Sequence, residues 1–384
     1  MWLRMRQTAR IISTYTADVS GVNSALFELG GMTVMHDASG CNSTYNTHDE
    51  PRWYDFDSMV FLSGISEMEA IMGDDDKLIG DIVSAAEQLH PKFIAIAGTP
   101  IPMMIGTDFK AIASVVERRT GIPAFGFHTN GMHTYVQGAS VALEAIADRF
   151  VTELRPKTEQ LSVNLLGVTP LDFSVNGSAE HLRTALESRG ISVVSNWAMG
   201  DTLETLQNAA SAHVNLVVSR AGIGAAKVLH KRFGIPYVTG RPYGKFTDVL
   251  VQSIRIAADS GENACPQIER ENADILVIGE GVSAMSLANA ISLEPGIRRH
   301  ARCIAATEFA ECCLGSEDRI ARDEDDIIPL LEGAKVIIAD PLYQPICPKT
   351  ARFIGLGHEG FSGRIYRSEI PDMTESLDWL TERL

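Results

Sequence analysis

The most reactive group in the sequence is a thiol at a glycine turn. The run Met32-Thr33-Val34-Met35-His36 leads directly into Asp37-Ala38-Ser39-Gly40-Cys41. Open α/β sheets bind ligands beyond the carboxyl ends of their strands, so a cysteine there stands where a soft metal ligand is useful. The alternative is a small residue buried at a turn for packing, which is common for cysteine. Just downstream, Asn46-Thr47-His48-Asp49-Glu50-Pro51-Arg52-Trp53-Tyr54 concentrates acid–base groups. In a pocket, His48 would donate a proton, Arg52 would hold an anion and Trp53 would stack on a planar ligand. As plain structure, the same segment is a polar loop with an acidic, proline-marked helix start. Near the C-terminus, Gly357-His358-Glu359-Gly360-Phe361-Ser362-Gly363 sets an imidazole in another glycine-rich turn, either as a functional group or as a satisfied histidine at a strand end.

Other motifs exclude chemistry. Gly279-Glu280-Gly281, Gly222-Ile223-Gly224 and Gly355-Leu356-Gly357 do not complete a G-x-G-x-x-G fingerprint with a well-placed acid, and Glu280 would face a pyrophosphate, so a dinucleotide site is not expected. Cys312-Cys313 and Cys347-Pro348 lack the spacing of a structural zinc site.

These residues need rigid elements behind them, and the composition supplies enough apolar material. The chain has 384 residues, 45% hydrophobic and 21% charged, which at roughly 150 residues per domain suggests two or three cores. A net charge of −16 works against nucleic acid, which attracts clustered Lys and Arg. The N-terminal Met1–Ser13 stretch has no apolar core long enough for a signal peptide, and no later run reaches the ~18 uncharged apolar residues of a membrane span. A cytoplasmic location is therefore expected, with the six cysteines reduced.

The pattern along the chain is short β-branched runs, a Gly, Pro or Asp turn, then an amphipathic helix, which signals parallel α/β sheets. Strands are expected at Met32–His36, Met59–Leu62, Phe93–Ala97 and Ala124–Phe127. After the polar Arg155–Gln160 linker a second block runs from Ser162 to Thr239, and after the aperiodic Asp259–Asn272 stretch a third opens at Asp274. The fold expected is α/β with three Rossmann-like domains carrying parallel sheets, at 1–157, 158–265 and 266–384.

Several landmarks then recur in order: the Gly40-Cys41 turn, the acidic lead Glu67–Leu78, Gly98-Thr99-Pro100 followed by Ile105-Gly106-Thr107-Asp108-Phe109, Phe233-Gly234-Ile235-Pro236-Tyr237, and the His358 turn. Together they resemble nitrogenase component 1 and its relatives. The resemblance implies Cys41 as a cluster ligand, but the family's cluster-bearing subunits use three first-domain cysteines, and Ala17 and Pro100 stand at the other two positions. One thiolate cannot hold an iron–sulfur cluster, which takes four ligands. Two completions are open. A paralogous subunit adds three cysteines to Cys41, or a homodimer brings two copies of Cys41 together with Asp37 or His36 filling the remaining places.

The resemblance also places His358 where the catalytic subunit has its cofactor histidine, whereas Val218-Ser219-Arg220 has no thiol where the cofactor cysteine belongs. This argues against dinitrogen reduction. The expected function is an oxidoreductase subunit relaying electrons from an ATP-driven iron-protein reductase, through an intersubunit iron–sulfur cluster of the 4Fe–4S kind, to a small or tetrapyrrole-like substrate near His48, Arg52 and His358. A scaffold for metal-cofactor assembly and a non-redox metal- or ligand-binding protein are the alternatives.

Overall fold

A computed structural model describes residues 16–38, 45, 49–297, 299–321 and 323–384. It contains three parallel sheets, and the strands of each come from one stretch of chain.

The first sheet comprises β1 (Met32–His36), β2 (Met59–Leu62), β3 (Ile94–Gly98) and β4 (Ala124–Phe127), in the order β2-β1-β3-β4. The central β1 and β3 are buried along their whole length, as a sheet covered on both faces requires. Helices α1 (Asp18–Leu26), α2 (Glu67–Met72), α3 (Asp75–Leu89), α4 (Pro100–Ile105), α5 (Phe109–Thr120) and α6 (Tyr135–Phe150) surround it. Amphipathic α3 and α5 begin at Asp74 and Asp108, whose carboxylates accept backbone N–H groups of the first turn, and they bury Leu78, Ile82, Ile112 and Val116 against one face. On the other face α1 and α6 touch backbone to backbone. A Cβ on Gly138 would lie 1.8 Å from the Asp18 carbonyl oxygen, and one on Gly21 would lie 2.0 Å from that of Tyr135, so both positions require glycine.

The second sheet, ordered β6-β5-β7-β8, contains β5 (Ser162–Leu166), β6 (Ser192–Asn196), β7 (Val214–Val217) and β8 (Tyr237–Thr239). Its helices are α7 (Pro170–Phe173), α8 (Ser178–Glu187), α9 (Leu203–Leu206), α10 (Ile223–Phe233) and α11 (Phe246–Ser260). The third sheet, ordered β11-β10-β9-β12-β13, contains β9 (Ile275–Gly279), β10 (Ala301–Ala305), β11 (Arg319–Ile320), β12 (Val336–Ala339) and β13 (Arg352–Gly355). With it go α12 (Gly281–Leu293), α13 (Glu324–Leu330), α14 (Glu359–Ser362) and α15 (Asp378–Thr381).

The hydrophobic cores run across the sheet boundaries. Val22, Leu143 and Ile146 of the first unit share one cluster with Trp197, Val217 and Leu229 of the second. Val163, Leu216 and Leu250 share another with Val277, Met285 and Ile338 of the third. No described helix is long and apolar enough to cross a membrane.

Candidate functional site

Two places gather polar groups at the carboxyl ends of strands. At the first sheet, His36 closes β1, and its Nδ1 lies 2.8 Å from the Ser63 hydroxyl that follows β2. The Thr99 hydroxyl, after β3, donates to the His36 carbonyl at 3.0 Å. Burial pulls the His36 imidazole down to about 4, Glu69 opposing only in part, so the ring is neutral at physiological pH. Burial also raises the neighbouring Asp37 carboxyl, whose Oδ1 accepts the Ala38 N–H at 2.8 Å. Cys41 and His48 lie outside the described residues.

Around this edge several large apolar side chains are exposed among acidic ones. On α2, Met68, Ile71 and Met72 are exposed, and α4 beside it exposes Met103, Met104 and Ile105. Met104 is 82% exposed. Met132, after β4, extends the same end of the unit.

Arg52 is not free to hold an anion. Its Nε donates to Glu50 at 2.7 Å, Nη1 to Glu28 at 2.7 Å and to the Ala198 carbonyl at 3.1 Å, and Nη2 to the Ser24 carbonyl at 2.8 Å. It is 2% exposed. Glu28 in turn accepts the Gly200 N–H at 2.7 Å, so Arg52 clamps the first unit to the loop after β6. Of the acids beside it in sequence, Glu50 is its partner, whereas Asp49 accepts from the Ser20 hydroxyl at 2.7 Å. Trp53 packs on Phe27 and Tyr45.

The second place is a cavity of about 60 Å³ between the second and third sheets, lined by Asp172, Arg241, Glu280, Ser283, Asp340 and His358 among others. These residues follow β5, β8, β9, β12 and β13, so five strands deliver their carboxyl ends to it. His358 caps α14: its Nδ1 accepts the Gly360 N–H at 3.1 Å, and its own N–H donates to Asp340 Oδ2 at 2.8 Å. Burial and the Arg241 charge push the imidazole down to about 3. With Nδ1 accepting, the neutral ring carries its proton on Nε2, which is buried, has no hydrogen-bond partner and lies 3.7 Å from Asp172 Oδ1. Asp172 accepts from the Tyr135 hydroxyl at 2.5 Å and from Thr169 at 2.9 Å. Burial raises its carboxyl, and those bonds together with Ser219 and Arg241 oppose the rise. Tyr135 reaches in from the first unit, and its ring packs so closely on Gly360 that a Cβ there would lie 2.4 Å away.

Arg241 lays its guanidinium on the Phe173 ring, 3.4 Å from the centroid, and donates to the Asp172 carbonyl at 3.1 Å. Its Nε is buried without a partner. Glu280 accepts the N–H groups of Ser283 at 2.8 Å and Arg220 at 2.9 Å, yet burial and the negative Asp172 lift its carboxyl to about 7. The cavity thus offers two unfilled donors, His358 Nε2 and Arg241 Nε, beside a carboxyl poised to exchange a proton near neutrality.

Of the residues expected to act together, the structure brings His36 and Asp37 to one edge and His358 to a different cavity. Tyr135, Asp172 and Arg241 carried no signal in the sequence, and Glu280 registered only as an acid in a glycine turn.

Neither place holds a complete donor set for a metal cluster among the described residues. The first-sheet edge offers one imidazole and one carboxylate, from His36 and Asp37, too few for an iron–sulfur cluster. The interdomain cavity has no cysteine in its lining. Its volume suits a few water-sized groups and fits neither a metal cluster nor a tetrapyrrole as it stands.

Residues 23–276 match the family model described as nitrogenase component 1 type oxidoreductase. The chain is 26% identical over 233 residues to the nitrogenase molybdenum-iron protein alpha chain of Clostridium pasteurianum, covering 60% of this chain and 42% of that one. It is 32% identical over 186 residues to a light-independent protochlorophyllide reductase subunit of Heliobacterium modesticaldum, covering 48% and 35%. To the nitrogenase iron-molybdenum cofactor biosynthesis protein NifE of Rippkaea orientalis it is 26% identical over 219 residues, covering 55% and 45%. The match thus spans less than half the length of each of these relatives. A solved structure of nitrogenase Cp1 at pH 6.5 superposes with a TM-score of 0.69 at 16% identity, covering 100% of this chain and 94% of that one, which establishes the shared fold. With its matched segment running through more than half its length, the chain belongs to the nitrogenase component 1 type oxidoreductases.

Proposed function

We propose that this chain is a cytoplasmic, nitrogenase-like oxidoreductase subunit that shares an iron–sulfur cluster of the 4Fe–4S kind with a second subunit at the carboxyl edge of its first sheet. The observation that carries the reading is the apolar surface of α2 and α4, with Met68, Ile71, Met72, Met103, Met104 and Ile105 exposed beside the turn that leads to Cys41. Exposed apolar surface of this kind marks a protein contact. The partner is a paralogous component 1 subunit supplying the remaining thiolates, with a second copy of this chain as the alternative, and an ATP-driven iron protein delivers electrons. When bound there, the cluster supplies electron transfer between the subunits. The chain's own groups work in the interdomain cavity. His358 Nε2–H and Arg241 orient a small ligand through its lone pairs, and Glu280 holds a proton for it.

Anaerobic co-expression with a three-cysteine paralogue tests this. The complex should be brown with a broad charge-transfer absorption, and Cys41→Ala should lose iron while keeping the fold. Ile71→Asp with Met104→Asp should split the complex and bleach it. Full iron content in Cys41→Ala refutes the cluster assignment. A scaffold role in cofactor assembly is the second reading, supported by the likeness to NifE proteins from several organisms. Repeated turnover of an added substrate with reductant and the iron protein excludes it.

A further inference from the structure

Three cysteines meet where the second and third units join. Cys265 lies on the connection between β8 and β9, directly after Ala264, which bridges to Val238 of β8. Cys312 and Cys313 end the short 3₁₀ turn after β10, Glu311–Cys313. Cys313 is buried, and the thiols of Cys265 and Cys312, the Thr239 hydroxyl and the Arg220 guanidinium all lie close enough to act on its charge. Gln267 ties the two segments together by donating to the Cys313 carbonyl at 2.8 Å. Cys312 is exposed and Cys265 half-buried, so the group opens to solvent on one side.

We infer that Cys313 and Cys265 form a thiol–disulfide exchange site, at which a small external disulfide converts the pair into a cross-link between the second and third units. The protonation pattern suits the task. Cys313 is held below the ordinary thiol range by the Cys265 hydrogen bond first, then by Cys312, Arg220 and Thr239 against its burial, whereas Cys265 is pushed up and keeps its proton. The thiol that gives up its proton more readily thus sits beside one that keeps its proton until it resolves the mixed disulfide. Cys303 and Cys347 lack this arrangement: Cys303 is sealed in the third core, and Cys347 donates to the Tyr343 carbonyl. The three sulfurs do not converge on a single metal position. Among the described residues, the group whose ligand atoms do converge is His181, Asp372 and Glu375.

The exchange balances as two displacements. The Cys313 thiolate attacks one sulfur of the external disulfide, forming a mixed disulfide and releasing one thiolate. Cys265 then attacks Cys313 Sγ, forming the internal disulfide and expelling the second thiolate. The protons of the two protein thiols end on the two released small thiols, which carry away the electron pair. In a reducing compartment such a bond forms only under oxidant and reverses afterwards.

The full chain, equilibrated anaerobically across a series of reduced-to-oxidised glutathione ratios, denatured and labelled with N-ethylmaleimide, decides this by intact mass and peptide mapping. Six labels are expected when reduced and two fewer when oxidised, with the Cys265 peptide joined to the Cys313 peptide. Cys312→Ser should still lose two labels. Cys265→Ser and Cys313→Ser should retain five each, and if Cys313→Ser does not fold by circular dichroism, Cys265→Ser carries the comparison. Full labelling at every ratio overturns the inference. So does a bond mapped between Cys312 and Cys313, or stoichiometric zinc that blocks the three thiols and leaves with a chelator.

Discussion

Replacing Arg52 by Met tests whether that side chain is a clamp or a ligand holder. The guanidinium is enclosed, and the Glu50 side chain it neutralises has no solvent exposure. Removing the arginine leaves Glu50 with the Ser24 hydroxyl at 2.9 Å, the Tyr45 hydroxyl at 3.4 Å and the N–H of residue 52 at 2.9 Å, none of which carries positive charge. Breaking a buried ion pair from one side costs about 3–5 kcal/mol. At roughly 2–4 °C per kcal/mol for units of this size, the melting temperature should fall by about 6–20 °C. The loss should be felt in the second unit, because Arg52 and Glu28 hold the Ala198–Gly200 loop, where Ala198 adopts a φ of 98° that is rare for a residue with a Cβ. Thermolysin, which cleaves before apolar residues, should then cut that loop faster. The double variant Arg52→Met/Glu50→Gln should recover part of the loss, since no bare charge remains inside. Thermal and urea unfolding with limited proteolysis are the assays. A loss below about 1 kcal/mol accompanied by weaker ligand binding would refute the clamp and return Arg52 to a pocket.

The His358 ring, held at about 3, should show no titration of its carbon-bound proton shifts between pH 5 and 8, and a midpoint near 6.5 would contradict the buried, Nε2-protonated assignment. Glu280 titrates near 7 folded against 4.5 unfolded, so the folded state holds the extra proton. Its contribution is fully present below about pH 4.5, and about 3 kcal/mol is lost as the pH rises through 7. Glu280→Gln should flatten stability over that window when denaturation is followed against pH, and an unchanged slope would contradict the shift. Gly138→Ala should cost about 3 kcal/mol in urea denaturation, because its Cβ meets the Asp18 carbonyl, whereas Gly80→Ala, in open space inside α3, should gain about 0.5–1 kcal/mol. Equal effects at the two glycines would show that the close approach of α1 to α6 is absent.

Much of the fold is legible because the strands are bounded apolar runs: β1, β2 and β4 have the ends that the residue pattern marks. Helix α1 escapes such reading. Its sequence, Asp-Val-Ser-Gly-Val-Asn-Ser-Ala-Leu, has weak helix formers and is buried on every side, so it shows no polar face and no period. It exists because Gly21 and Gly138 let it lie against α6. The cavity is harder still to foresee. Tyr135, Asp172, Arg241 and Glu280 come from four separate segments, and only the convergence of strand ends joins them. Arg52 misleads for the opposite reason: Asp49 and Glu50 beside it suggest a reactive pocket, but the same proximity lets Glu50 neutralise it in the interior.

Tyr135 has a further consequence. It begins a helix of the first unit, donates to Asp172 of the second and lies flat against Gly360 of the third. The phenol is fully buried, so any widening of the cavity on that side uncovers a ring that the second and third units now cover. One phenol thus couples the three units: a shift of the first relative to the others must break its bond to Asp172 or open its contact with Gly360.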